Sequence, residues 1–344
     1  MKQRHMSTLK NLKMGYMNRI IECELISQPS VFVCSKPLQV INCLSIIRYY
    51  KICKPVLIIV KKNFQGYNYF IDFISECELL YLSVAFNVVD NHFEACEVIK
   101  GLNYRSIFIE DDRTSFTYLF ATLKKDQLIV FEEGVSTYYS SYRYKMNIFR
   151  KLKWLLLAPI TKSGIQFGQG EFTDFVMVSY PYYFGEINNK ISRKALYFPG
   201  LMHEIRYVKK PWLDLVYEDL ITVKPGYNVA LIIGTWGGGE CSIEMVRNIQ
   251  SSFDATFFKP HPHDGSAWGA EQKIVIIDKP WIPSEVYILA LIELSVNITV
   301  YHYSSSTFFY CINDTSMKNV KFVDLGSDKY VKKIYKDIQS IEST

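Results

Sequence analysis

Short apolar runs rich in β-branched and aromatic residues alternate with helix-patterned stretches along nearly the whole chain. The pattern predicts strands at Val31–Cys34, Pro55–Val60, Ser106–Ile109, Gln127–Phe131 and Phe175–Ser179. A second series follows at Asn228–Ile233, Ala255–Phe258, Lys273–Ile277, Asn297–Tyr301 and Val320–Val323. Between them the spacing predicts helices over Pro37–Tyr50, Tyr67–Cys77, Ser115–Lys124, Cys241–Gln250, Ser284–Leu294 and Asp328–Ile338. Strands that are continuously apolar, rather than alternating, are buried on both faces, so the fold class is α/β with parallel sheets covered by helices. One doubly wound sheet of all these strands would be large. Pro199-Gly200, Pro211 and Pro225-Gly226 cluster between the two series. Two sheets of about five strands each fit ordinary domain sizes better, one within residues 1–210 and one within 211–344. No internal repeat or low-complexity tract interrupts them.

Composition narrows the class. The chain has 344 residues, 49% of them hydrophobic, which excludes a disordered protein. Its eight cysteines form no CxxC pair and mostly sit in apolar runs, as expected of reduced thiols in a cytoplasmic protein. No apolar run approaches the roughly 18 to 20 residues needed to span a bilayer. The net charge of +5 is mild, too sparse for a dedicated nucleic-acid binder. It is also uneven. Residues 1–21 carry Lys2, Arg4, Lys10, Lys13 and Arg19 without an acid, and residues 134–170 carry Arg143, Lys145, Arg150, Lys151, Lys153 and Lys162 without one. The remainder of the chain is therefore net acidic.

In doubly wound folds, ligands bind at the carboxyl ends of strands, so the loops there are the places to look for chemistry. Glu132-Glu133-Gly134 follows a buried-type strand. Both carboxylates cannot lie on the apolar face, one should project into the crevice as a possible general base, and Gly134 permits a tight turn; a polar turn is the competing reading. Lys259-Pro260-His261-Pro262-His263-Asp264 follows another strand, and its prolines stiffen the direction of His261. A histidine there suits protonation of a leaving phosphate. Reading His261 and His263 as metal ligands fails for want of further ligands at suitable spacing, so no metal site is expected. Tyr303-Ser304-Ser305-Ser306-Thr307 offers hydroxyls and backbone N–H groups to an anion, or simply a helix cap. Gly234-Thr235-Trp236-Gly237-Gly238-Gly239 is a glycine-rich turn without a dinucleotide or P-loop fingerprint, though its backbone could approach a phosphate. Ser35-Lys36-Pro37-Leu38-Gln39 turns the first strand into the first helix. Glu110-Asp111-Asp112 resembles an acidic metal motif found in some glycosyltransferases, but reads more simply as a solvated turn.

Taken in order, an acidic pair with Gly, then His261-Pro262, then Ser305-Ser306, these motifs resemble those of the bacterial sialyltransferases. Cys34 to Asn42 is similar to the opening strand-to-helix turn of the lipooligosaccharide sialyltransferases, glycosyltransferase family 52, and Ile282 to Val286 looks like a helix start bearing a ribose-binding glutamate. The resemblance spans about residues 31–310 and rests on motifs of two or three residues. It implies a glycosyltransferase-B fold of two Rossmann-like domains facing a cleft, with CMP-sialic acid as donor substrate and no other cofactor. By the same resemblance Glu133, or its neighbour Glu132, is the general base on the acceptor hydroxyl. His261 assists departure of the CMP phosphate, with Pro262 as its motif partner. Ser305 and Ser306 bind that phosphate, and Glu285 holds the ribose. Gly234 and Thr235 are added as donor-side candidates from the glycine-rich turn. Relatives often have Asp in the acidic pair, and two glutamates here leave open which is the base.

The expected reaction is an inverting transfer of sialic acid to a terminal galactose-type sugar of a bacterial surface glycan, lipopolysaccharide, lipooligosaccharide or capsule. The acceptor would be lipid-linked, and the basic stretch around Phe149–Leu157, within residues 143–162, is patterned for an anionic membrane surface or for a solvated helix face. That places the protein in the cytoplasm, peripheral to the inner face of the inner membrane. Tyr138, Tyr139, Tyr142 and Tyr144 are candidates to line the acceptor sugar. Alternatives are a transferase of the same fold using another CMP-activated acid such as Kdo, and a non-catalytic glycan-binding protein. Nucleic acid is not an expected partner.

Overall fold

A computed structural model describes residues 24, 28–63, 66–76, 84–113, 115–139, 156, 166–188, 195–234, 243–261, 274–279, 281–312, 314–326 and 328–342. The basic segment 1–21, nearly all of the basic stretch 143–162, Tyr142, Tyr144, Thr235 and Pro262 lie outside the described residues.

The chain forms two compact units, one of Met1–Tyr67 with Tyr81–Glu204 and one of Asn68–Leu80 with Ile205–Thr344. In the first, seven strands run β1 (Ser30–Cys34), β2 (Pro55–Val60), β3 (Ala85–Val89), β4 (Ser106–Ile109), β5 (Gln127–Phe131), β6 (Phe175–Val178) and β7 (Ala195–Tyr197). They lie in the order β3-β2-β1-β4-β5-β6-β7, all parallel. The second unit holds β8 (Asn228–Ile233), β9 (Ala255–Lys259), β10 (Ile274–Ile276), β11 (Asn297–His302) and β12 (Lys321–Asp324) in the order β10-β9-β8-β11-β12, again parallel. Both are doubly wound Rossmann-type sheets, the sheets of the glycosyltransferase-B fold. In each, the chain builds outward from its first strand in one direction and then returns to build in the other. The switch point therefore falls between β1 and β4 in one unit and between β8 and β11 in the other.

The helices are α1 (Pro37–Tyr50), α2 (Tyr67–Glu76), α3 (His92–Lys100), α4 (Ser115–Leu123), α5 (Pro181–Ile187), α6 (Gly200–Tyr207), α7 (Lys209–Val216), α8 (Ile243–Gln250), α9 (Ser284–Glu293), α10 (Ser306–Cys311) and α11 (Lys329–Glu342). Burial explains the sequence pattern. The central strands β1, β4 and β5 are buried almost throughout, which is why they read as unbroken apolar runs. Helices α1 and α9 are buried along nearly their whole length and so show little amphipathic alternation.

Three features differ from expectation. The first sheet has seven strands rather than about five: β3 is mostly exposed and β7 only three residues long, so neither carries a core-strand signature. The Pro/Gly cluster at 200–226 is not a plain linker but contains α6 and α7. Pro211 occupies the first turn of α7, where its missing N–H is no loss, and Gly200 opens α6 at a φ of +73°. Segment 68–80 also belongs with the second unit, where α2 packs Phe70 and Phe73 on Trp212 with ring centroids 6.2 and 4.5 Å apart.

Candidate active site

In the first unit, three strand ends meet around the switch point. Ser35 and Lys36 follow β1, Glu110 follows β4, and Glu132-Glu133 follow β5. Pro37 begins α1, and Gln39 on its first turn reaches back, its Oε1 accepting from the Ser35 backbone N–H at 2.7 Å. This side-chain bond to the residue before the helix cap locks the β1–α1 turn. The other end of the same amide donates from Nε2 to Glu133 Oε1 at 3.0 Å, and Lys36 Nζ forms an ion pair with that carboxylate. Glu133 is partly exposed, and its backbone N–H donates to Thr137 Oγ1 at 3.3 Å. Gly134 makes the sharp turn behind it at φ +115° and ψ −159°, a conformation closed to residues with a Cβ.

The adjacent carboxylates have opposite fates. Glu132 is fully buried, and Tyr138 Oη donates to it at 2.7 Å, as do the Ser179 backbone N–H at 2.8 Å and the Ser179 hydroxyl. Burial pushes its carboxyl up to about 7 against those donors. Glu132 thus has its oxygens engaged inside the unit, whereas Glu133 meets the strand-end crevice. Tyr138 is buried too, spent on Glu132 and on the ring of Tyr183, rather than free to line an acceptor sugar.

The acidic triplet after β4 is not a solvated turn. Asp112 is fully buried and accepts from Gly168 N at 2.9 Å, Gly170 N at 2.8 Å and Thr173 Oγ1 at 2.8 Å, clipping loop 168–173 to the sheet. Asp111 pairs with Arg113 at 2.7 Å. Glu110 joins the switch-point cluster, with Ser35 Oγ 3.2 Å from its Oε1. Burial and the nearby Glu133 charge push its carboxyl up to about 7. No group of three His, Cys, Asp or Glu side chains among the described residues is placed to hold a metal ion.

In the second unit, Lys259 ends β9 and Glu285 begins α9, both buried. Burial lowers the Lys259 ammonium to about 8, against the opposing pull of Glu285. Burial likewise raises the Glu285 carboxyl, while the Thr307 hydroxyl bonded to it and the Lys259 charge act the other way. A lysine at a strand end reads from sequence as a solvated turn residue, so nothing marked it beforehand. His261 lies two residues on, half-exposed. Gly234, at the end of β8, donates its N–H to Lys259 O at 2.9 Å, and a Cβ there would stand 3.0 Å from His261 N, so this glycine permits the close approach of the two loops.

The serine turn follows β11. Ser305 caps α10, its Oγ accepting from Thr307 N at 3.1 Å, so this hydroxyl is a cap, and Ser306 is the first residue of that helix. Ser304 adopts φ +50° and donates its N–H to Asp324 Oδ1 at 2.8 Å. His302, fully buried and stacked on Phe308, accepts from Ser305 N at 3.3 Å through Nδ1; burial drives its imidazole down to about 4, so it is neutral at physiological pH. Each unit thus gathers its own candidates at its own switch point: Glu133 in the first, and Lys259, His261, Glu285 and the serine turn in the second.

Each unit has the doubly wound parallel sheet of a glycosyltransferase-B domain. Among similar solved structures, one supports the fold. The S. aureus MnaA–UDP co-structure matches with a TM-score of 0.52 over 92% of this chain and 88% of its own, at 10% identity. Arabidopsis thaliana UGT89C1 complexed with UDP-L-rhamnose matches with a TM-score of 0.46 over 90% of each chain, also at 10% identity. No protein-family model and no curated protein matches the chain. No helix among the described residues is long and apolar enough to cross a membrane.

Proposed function

We propose that the protein is an inverting glycosyltransferase that uses a nucleotide-activated sugar, with CMP-sialic acid as donor and a galactose-type sugar of a bacterial surface glycan as acceptor. One observation carries the reading: the residues of the acidic-pair, His-Pro and Ser-Ser motifs that are described all sit at strand ends beside the two switch points, where this architecture binds its ligands. A fold alone hosts many chemistries, so the weight falls on these side chains.

Glu133 acts as the base on the acceptor hydroxyl. Lys36 and Gln39 both bind its Oε1 at the strand end, while Glu132, sequestered by Ser179 and Tyr138, serves the structure. His261 stabilises the departing nucleotide phosphate, with Ser305 and Ser306 contributing donors, and Glu285 receives the ribose. A single displacement needs a base on one side and charge stabilisation on the other, and inverts the anomeric centre.

The second reading is a uridine-nucleotide donor, favoured by the S. aureus MnaA structure, which holds UDP in a chain of this fold. The test is incubation of the purified protein with CMP-sialic acid, CMP-Kdo and a set of UDP-sugars against a panel of galactosides, with nucleotide release and product mass and linkage as readouts. The expected result is CMP release and a sialylated galactoside, reduced about 100- to 10,000-fold by Glu133→Gln. Release of UDP, or turnover of CMP-Kdo alone, replaces the donor. Nucleotide binding with no turnover of any donor leaves the non-catalytic reading in place.

A further inference from the structure

The switch-point cluster of the first unit contains a hydrogen-bond chain whose direction is set by proton counting. Gln39 Oε1 accepts from the Ser35 backbone N–H at 2.7 Å. A backbone N–H can only donate, so this contact fixes the amide: oxygen towards Ser35, nitrogen towards Glu133. Ser35 Oγ then lies near two acceptors, Gln39 Oε1 at 3.3 Å and Glu110 Oε1 at 3.2 Å. A hydroxyl has one hydrogen to give. If Glu110 is ionised, one of these contacts has no proton in it. If Glu110 is protonated, every contact is satisfied in one direction: Glu110 donates to Ser35, Ser35 to Gln39, and Gln39 to Glu133.

We propose that Glu110 carries a proton in the resting protein and, through Ser35 and Gln39, holds the Gln39 amide on the Glu133 carboxylate. It is a positioning residue for Glu133, and its catalytic relevance rests on the transferase reading above. The surroundings support the same assignment. The charged groups acting on Glu110 are Lys36 from the β1–α1 turn, Glu133 from the β5 loop and Asp111 beside it in sequence, and its charge in turn acts on the buried thiols of Cys34 and Cys43. The cation among these groups, Lys36, is already paired with Glu133. Two ionised carboxylates would share it at a desolvated strand end, and protonation of one removes that conflict. With the Glu110 carboxyl at about 7, the relay is intact below neutrality and fails as the pH climbs past it.

The test has two arms. In the first, protein labelled with carbon-13 at the glutamate carboxyls is titrated by NMR. Two resonances should titrate near pH 7, those of Glu110 and Glu132, and Glu110→Gln should remove one of them while Glu132→Gln removes the other; a wild-type spectrum in which Glu110 titrates in the ordinary carboxylate range overturns the proposal. This arm needs no turnover, so it gives its answer even if no donor is consumed and the transferase reading falls. The second arm is the pH profile of kcat. Glu110→Ala should lower kcat about 10- to 100-fold, the scale of a misplaced catalytic group, with the donor KM little changed. Glu110→Gln, which keeps a donor for Ser35, should recover most of that loss and abolish the fall of kcat above neutrality. A Glu110→Gln variant as crippled as Glu133→Gln would make Glu110 itself the base and end the positioning role.

Discussion

Glu132→Gln separates the two neighbouring carboxylates by a stability measurement. In the folded protein the Glu132 carboxyl is raised to about 7 from an ordinary 4.5, because burial outweighs its three donors. The folded state therefore keeps a proton that the unfolded chain releases between those values, and stability falls as the pH rises through that window. The full shift corresponds to about 3 kcal/mol, of which about 2.5 kcal/mol falls between pH 5 and pH 8. Glutamine copies the protonated form. Its oxygen can accept from the Ser179 N–H and the Tyr138 hydroxyl at the position of Oε2, while its NH2 donates to Ser179 Oγ at the position of Oε1. The variant should thus lack this part of the pH dependence. Guanidinium unfolding followed by circular dichroism at the two pH values measures it. The difference in stability between variant and wild type should move in the variant's favour by about 2.5 kcal/mol from pH 5 to pH 8, with turnover far less affected than in Glu133→Gln. A loss of stability that is the same at both pH values would refute the assignment of the raised carboxyl. A loss of turnover matching Glu133→Gln would refute the division of labour.

Lys259→Met gives the complementary curve in the second unit. The lysine's folded value of about 8 lies below its ordinary 10.5, so wild-type stability should rise by about 3 kcal/mol as the pH climbs through that range, and the variant's curve should be flatter there. Asp112→Ala removes the shared acceptor of three donors and should destabilise the first unit by on the order of 3 kcal/mol, with loop 168–173 losing hydrogen-exchange protection first.

The sequence is most readable where burial is complete. The continuous apolar runs of β1, β2, β4, β5 and β8 end within a residue or two of their observed limits, because a strand covered on both faces has no polar position to blur it. The edge strands β3 and β7 escape the same logic, one exposed and the other very short. At the site, Glu133 stands out from the sequence because a strand, an acid and a glycine occur together. Glu110 and Lys259 do not, since a charged residue after a strand looks the same whether it faces solvent or is drawn into a cluster. What decides between those fates is which strands lie side by side. The adjacency of β1 and β4 is a property of sheet order, and local spacing carries no record of it. One cue was available in principle: in a doubly wound sheet the first strand and the one that reverses direction flank the ligand crevice, so charges ending those two strands outrank others.

The helix Tyr67–Glu76 has a practical consequence for anyone wishing to take the protein apart. It is encoded between two strands of the first sheet, yet its aromatic face is shared with Trp212 and Trp281 of the second unit. A gene fragment starting at residue 205 would therefore leave the Trp212 ring without its covering phenyl groups, and one ending at residue 204 would carry that helix without the two indole rings its aromatic face packs on. A cut there also severs the helix Gly200–Tyr207 partway along. Dissection by truncation is thus expected to yield two sticky pieces. Mixing the two fragments, rather than studying either in isolation, is the better route to halves that hold their native form.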